Sequence, residues 1–311
     1  MLAAVLFLPV RAGAVSARRA YAVDAVSGRV LYEKNPTERS LIASTTKIMT
    51  ALIVCEQCNV LDRMRIPKEA VGIEGSSMYL KEGEILTLQE LLYGMMLSSG
   101  NDAAVALAEH VAGTTERFKE MMNARVKQMG CVTTEFGNIS GLDTATSYTT
   151  AREMVKITME AAKNETFAEI FKTATYDIPA TNLVTEKRKL ITQNFLVDNH
   201  VVPQFMSTRY TGGLASNTEN SGASIACTAN YNNMNVVFVV MGATRTMNQE
   251  TGNVETYGNF EEVTELANYV FNNYKVNRII YDGMAVNQWP VSGGECQVVG
   301  QSFTDVDTGG P

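Results

Sequence analysis

A chain of 311 residues can bury a full core and form one large domain, or a large domain with a fragment beside it. Apolar residues at 45 % and charged residues at 19 % are the proportions of an ordinary soluble globular protein. A net charge of −7 with no Lys/Arg stripe excludes a nucleic-acid footprint, and two distant histidines, His110 and His200, argue against a histidine-rich metal site.

Residues 1–10 are apolar and Val15-Ser16-Ala17 resembles a signal-peptidase site, although a positive leading segment is missing. Residues 1–17 therefore read as a leader remnant, with a plain disordered terminus as the alternative. No later run reaches the roughly 18 apolar residues of a membrane span. Strand-like runs at 20–26 and 29–33 flank Ser27-Gly28, a hairpin signal. Asn35-Pro36 breaks that pattern, and a polar link leads to Ser44-Thr45-Thr46-Lys47. The apolar run 48–54 predicts a buried helix that begins at Ser44. Cys55-x-x-Cys58 lies in that helix, has no second ligand pair at zinc spacing, and reads as two small core residues. Together with Cys131, Cys227 and Cys296 the cysteines are odd in number and scattered, which is no disulfide framework.

A Gly/Ser-rich loop at 72–77 precedes Thr87-Leu88-Gln89-Glu90, a capping box opening a helix through Leu97. Ser98-Ser99-Gly100-Asn101 stops it, and a further helix from Asp102 ends at Gly113. The segment 114–129 places Phe118, Met121, Met122, Val126 and Met129 on one face, and Thr150-Ala151-Arg152-Glu153 is a second capping box. From Thr175 the character turns to strands. The runs 224–229 and 235–242, joined by a polar turn at 230–233, predict adjacent antiparallel strands, and 260–274 predicts a covering helix. Strands, many helices, strands and a helix in that order predict an α+β fold: an antiparallel sheet from both chain ends, flanked by helices, with a helical cluster inserted.

Ser44 and Lys47, three residues apart, share one helical face. A serine hydroxyl needs a neighbouring base to act as a nucleophile, and a lysine can be that base when burial disfavours its ammonium form. A serine in the first turn also has backbone N–H groups and the positive dipole end beside any oxyanion that forms. A lone Ser-x-x-Lys is also what a serine N-cap followed by a solvated lysine would look like, and Ser99-Gly100-Asn101 alone could be a helix-to-helix turn with Asn101 in the left-handed region.

Taken together, Ser44-Thr45-Thr46-Lys47, Ser99-Gly100-Asn101-Asp102, Gly75-Ser76-Ser77-Met78-Tyr79-Leu80, Gly141-Leu142-Asp143 and Tyr148-Thr149-Thr150-Ala151 resemble the low-molecular-mass penicillin-binding proteins of the D-alanyl-D-alanine carboxypeptidase type. The resemblance runs from about residue 17 to 274. It implies a DD-peptidase/β-lactamase-like catalytic domain at 18–274, and at 275–311 the start of a small C-terminal β domain. It implies that Ser44 attacks the carbonyl between the two terminal D-alanines of a peptidoglycan stem peptide, that Lys47 takes its proton, and that Ser99 relays a proton to the leaving amine. Asn101 would hydrogen-bond the substrate amide and Lys47, with Gly100 beside it in the substrate site. β-Lactams would acylate Ser44, no cofactor or metal is required, and the setting would be extracytoplasmic. A membrane-anchoring helix, as some of the family carry, would lie beyond residue 311.

The third motif departs from the family. Where Lys-Thr-Gly is expected, before Thr218-Glu219-Asn220-Ser221-Gly222, the chain reads Leu214-Ala215-Ser216, followed by Asn217. The missing lysine normally holds the substrate carboxylate, a contact of about 1.5–3 kcal/mol, or one to two powers of ten in rate. Ser216 in place of glycine is expected to crowd the strand edge. Arg209 could supply the charge from a shifted position, or be a solvated strand-end residue. Ser140 and Ser147 stand where the family often has histidine. These departures leave open a second reading, a catalytically silent peptidoglycan-binding domain. A class A-like β-lactamase ranks below both, since such enzymes keep a basic third motif and Ser-Asp-Asn in place of Ser99-Gly100-Asn101.

Overall fold

The computed structural model describes residues 16–247, 254–276, 285–290 and 298–302, the last two only as strands. In chain order its elements are β1 (Arg19–Asp24), β2 (Val30–Lys34), β3 (Ser40–Leu41), α1 (Lys47–Gln57), β4 (Arg63–Arg65) and β5 (Ile85–Thr87). There follow α2 (Leu88–Leu97), α3 (Asn101–Ala112), α4 (Thr115–Gln128), β6 (Tyr148–Thr149), α5 (Ala151–Ala162), α6 (Glu165–Lys172), β7 (Thr175–Ile178) and β8 (Arg188–Ile191). The last are β9 (Tyr210–Thr218), β10 (Gly222–Tyr231), β11 (Met234–Ala243), α7 (Gly258–Asn273), β12 (Ala285–Pro290) and β13 (Val298–Ser302).

β1 and β2 join β9, β10 and β11 in one antiparallel sheet, ordered β2-β1-β11-β10-β9, so strands from both chain ends meet in its middle. The expected α+β architecture, with helices inserted between the two sets of strands, is the one observed. Both faces of the sheet are covered, and the strand sequences show why. Along β11, Val237, Val239 and Met241 pack into the core under helices α1 to α6. The alternate residues Val236, Phe238 and Val240 pack under α7. A strand buried on both faces reads as a continuous apolar run rather than an alternation. α7 turns Phe260, Val263, Leu266, Ala267, Val270 and Phe271 inward at helical spacing to close the second face.

Local signals hold, with three adjustments. Ser44–Thr46 form a 3-10 turn, and α1 begins at Lys47 rather than at Ser44. Thr87 and Glu90 form a complete capping box, but at Thr150 only half of one forms. Glu153 turns its carboxylate away from the cap, to the Thr134 hydroxyl at 2.6 Å and the Thr133 N–H at 3.0 Å. The β10–β11 turn is tighter than 230–233: only Asn232 and Asn233 lie outside the strands, both at positive φ, as a two-residue hairpin demands.

α1 is the hub of the inserted helices, packing against α2, α3, α4, α5 and α6. Ile48 to Val54 are buried without a solvent face, so the position of its N-terminus is fixed from all sides. Cys55 and Cys58 pack at the margin of that core, and burial pushes the Cys55 thiol up to about 12, far from a reactive thiolate. The expected leader lies outside the described residues up to position 15. Ala17 is buried, and its N–H donates to Glu262 of α7. Of 275–311, the β12–β13 hairpin is described and most of the remainder lies outside the described residues. Among the described residues no helix is long and apolar enough to cross a membrane.

Candidate active site

The 3-10 turn carrying Ser44 is held by the chain on either side of it. β3 pairs with β6 just before the turn, Ser40 with Thr149 and Leu41 with Tyr148. Behind the turn runs the loop 138–143, anchored on Asn138. Its side-chain oxygen accepts the N–H groups of Ser140 (3.1 Å) and Gly141 (2.6 Å), and its amide donates to the Leu142 carbonyl at 2.7 Å. Gly141 is left-handed (φ +85°), and a Cβ there would fall 2.1 Å from the Ala43 carbonyl oxygen and 2.8 Å from the Ser44 nitrogen. Only glycine allows the loop to lie directly against the backbone at Ala43 and Ser44.

Lys47, 1 % exposed, directs its amine into this enclosure. Nζ donates to the Asn101 side-chain oxygen at 2.8 Å and to the Ser140 carbonyl at 2.6 Å, and lies 3.4 Å from Ser44 Oγ. A neutral amine has two N–H donors and one lone pair. Two acceptors and one hydroxyl donor are what surround this one. Burial pulls the Lys47 pKa down to about 7, and the more distant Asp102 charge opposes only part of that. Geometry and electrostatics thus agree on an amine that loses its charge near neutrality, far below the usual lysine range.

The second hydroxyl comes from the turn between α2 and α3. Ser99 Oγ donates to Ser44 Oγ at 3.1 Å. Ser99, and not Asn101, is the residue in the left-handed region (φ +57°), a strained conformation for a serine that aims it at Ser44. Asn101, the first residue of α3, is held from both sides: it accepts from Lys47 and donates to the Glu74 carbonyl at 2.8 Å. Gly75 lies so close that a Cβ would meet the Asn101 amide at 2.7 Å. Asp102 fastens the same loop, accepting from the Ser77 hydroxyl (2.7 Å) and from the N–H groups of Met78 (2.9 Å) and Leu80 (3.1 Å). Ser44, Lys47, Ser99 and Asn101 therefore converge, with Gly100 tucked against Met78 and Asp102.

The opposite wall is β9, the free edge of the sheet, which packs beside the 3-10 turn. Here the expectations need correction. Arg209 does not reach the cleft. Its guanidinium stacks 4.4 Å from the Tyr231 ring centre and donates to Asn268 at 3.2 Å, beside α7. Seven residues of strand, about 23 Å, separate it from Ser216. Leu214 is 5 % exposed and packs into the main core, so its side chain is no substrate contact. Ser216 is buried as well, and instead of crowding the edge its Oγ turns to a place with no hydrogen-bond partner. The exposed Asn217, with Ala215 and Ser216, lines a cavity of about 340 Å³ whose other walls are Gln193, Phe195, Tyr257, Asn259 and Phe260, beside α7, and which none of Ser44, Lys47, Ser99 or Asn101 lines. The cation of that cavity is Arg245, just past β11, reaching over Tyr257.

Arg245 had no sequence signal, because it lies some thirty residues from the third motif and meets it only through the sheet. The roles of the Ser140 and Glu74 carbonyls were also illegible: a backbone oxygen leaves no mark on residue type. Ser140 in place of histidine is immaterial to this contact, which its main chain makes. Ser147 likewise serves the loop, accepting from the Gly137 N–H at 2.8 Å.

A profile of the D-alanyl-D-alanine carboxypeptidase family matches residues 8–245. The D-alanyl-D-alanine carboxypeptidase DacF of Bacillus subtilis is 29 % identical over 300 residues, 95 % of this chain and 71 % of its own. DacC of Escherichia coli is 30 % identical over 246 residues, 75 % of this chain and 58 % of its own. The crystal structure of the Streptomyces K15 DD-transpeptidase superposes with a TM-score of 0.75 at 26 % identity, covering 85 % of this chain and 100 % of that one. The chain spans 58–71 % of the length of those two curated relatives.

Proposed function

The chain belongs to the D-alanyl-D-alanine carboxypeptidase family, and from that premise we propose that it is an extracytoplasmic serine carboxypeptidase acting on peptidoglycan stem peptides that end in D-Ala-D-Ala. The observation that carries the reading is the Lys47 amine: buried, its two N–H donors taken by Asn101 and Ser140, its remaining side toward Ser44.

The chemistry follows from these contacts. Ser44 Oγ attacks the carbonyl carbon of the penultimate alanine as its proton passes to Lys47 Nζ. The oxyanion forms beside the N–H groups at the head of the 3-10 turn. On collapse the C–N bond breaks, and the leaving amine takes a proton delivered through Ser99 Oγ, 3.1 Å from the reacting oxygen. Water then attacks the ester, giving its proton to Lys47; as the acyl C–O bond breaks Lys47 returns that proton to Ser44 Oγ, and the shortened peptide leaves. An extended substrate lies on the free edge of β9 as an added strand. Its terminal carboxylate meets Arg245 in the cavity at Ala215–Asn217, so the charge that the third motif lacks arrives from the segment that follows β11. β-Lactams acylate Ser44 by the same route.

The test pairs covalent labelling by a fluorescent penicillin with D-alanine release from a stem pentapeptide. Label at Ser44 together with release supports the reading, and absence of label removes it. One observation favours a second reading, a silent peptidoglycan binder: the uncharged Leu214-Ala215-Ser216 stretch. It predicts peptide binding without release, so measurable turnover rejects it. A β-lactamase would deacylate quickly and leave no lasting adduct.

A further inference from the structure

Beyond the turn that ends β9 lies a polar cavity of about 420 Å³ that the chemistry above does not use. Three guanidinium groups line it, from Arg18, Arg19 and Arg39, together with Ser40, Thr244 and one carboxylate, Glu219. Arg19 is 8 % exposed, and its Nε has no hydrogen-bond partner. Its other nitrogens are spoken for: Nη2 pairs with Glu38, and Nη1 donates to Ser40 Oγ at a long 3.4 Å. A buried, half-satisfied guanidinium costs stability unless something completes it. Arg39 stands fixed at the rim, stacked 4.1 Å from the Tyr148 ring centre, and Arg18 is exposed.

The cavity is tied to the Ser44 turn in two ways, one along the chain and one through a hydrogen bond. Ser40 and Leu41, in its wall, lead directly into the Ser44 turn. Asn220, also in its wall, donates to Asp143 at 2.9 Å, in the loop that packs on Ser44. A peptide laid along the edge residues 215–217 of β9 meets Glu219 and Asn220 a few residues further on, about 10 Å away. Stem peptides carry a γ-linked glutamate whose α-carboxylate stands free two residues before the scissile alanine, within that reach.

We infer that this arginine-lined cavity is a subsite for a carboxylate on the glycan-proximal part of the stem peptide, and so selects stems whose second residue is the free acid over those in which it is amidated. The inference rests on the stem-peptide reading above. It assigns Arg18 and Arg39 as specificity determinants outside the catalytic group.

The experiment measures binding rather than turnover, on full-length Ser44→Ala protein, using a lysine-containing stem pentapeptide and its second-residue α-amide. The acid binds about tenfold more tightly than the amide at low salt, and the margin narrows at high salt. Adding Arg18→Gln and Arg39→Gln erases the preference and leaves amide binding unchanged. Equal binding of the two peptides, no binding of either, or a preference that survives the double substitution overturns the subsite. D-Alanine release by the unmodified chain is assayed in parallel. A preference without release contradicts the enzymatic reading and leaves the subsite standing.

Discussion

The two walls of the cleft are built to different standards. On the helical wall the four converging side chains hold one another and the surrounding backbone: Lys47 is held by Asn101 and Ser140, Asn101 by Glu74, and Ser99 by Ser44. On the strand wall Leu214 is withdrawn into the core, Ser216 Oγ has no partner, and the cation comes from outside the strand. The contrast separates making an acyl-enzyme from holding a substrate. The first needs sub-ångström placement of four side chains, which buried helix termini give. The second needs a charge of the right sign near the right place, which a longer reach can also supply.

The largest effect that would sharpen this contrast is expected on the helical wall. Lys47→Met removes the base, and penicillin acylation falls about a thousandfold, measured by stopped-flow with the melting temperature followed alongside. Next is Gly141→Ala, whose new methyl collides with Ala43 and forces a strained φ. Acylation drops about a hundredfold as Ser44 is displaced, at a stability cost of about 1–3 kcal/mol.

The strand wall should yield smaller changes. Arg245→Ala lowers kcat/KM for the pentapeptide about tenfold, and Arg209→Ala, at the far end of β9, leaves it unchanged. Were Arg209 the residue that mattered, the division between the walls would be wrong. Restoring Leu214→Lys, Ala215→Thr and Ser216→Gly together should raise acylation about tenfold, provided that the strand accepts a lysine where leucine now packs. A gain in the Arg245→Ala background larger than in the parent would show that the two cations serve one purpose.

How much of this was legible in the sequence follows the same division. The sheet strands, the Thr87 cap and the amphipathic α7 announce themselves in apolar periodicity and capping residues, which are local signals. The convergence of Ser44, Lys47, Ser99 and Asn101 was legible because each makes its contact through its own side chain, in short patterns at helix starts. Arg209 misled because nearness along the chain is not nearness in a sheet: at the strand's start it finds Tyr231 and Asn268 before any substrate. Arg245 and the Ser140 carbonyl were hidden for matching reasons, one brought in by long-range pairing, the other lacking a side-chain signature.

The proposed chemistry turns most directly on the ionisation of one amine. Lys47 accepts a proton only when neutral, and burial sets its pKa at about 7. The decisive measurement is the second-order rate of Ser44 acylation by a penicillin between pH 5 and 9, with the adduct mapped by mass spectrometry. The rate should fall about tenfold per unit below neutrality, as the ammonium form accumulates, and level off above it. A rate indifferent to pH across that range, or an adduct on another residue, would contradict the mechanism.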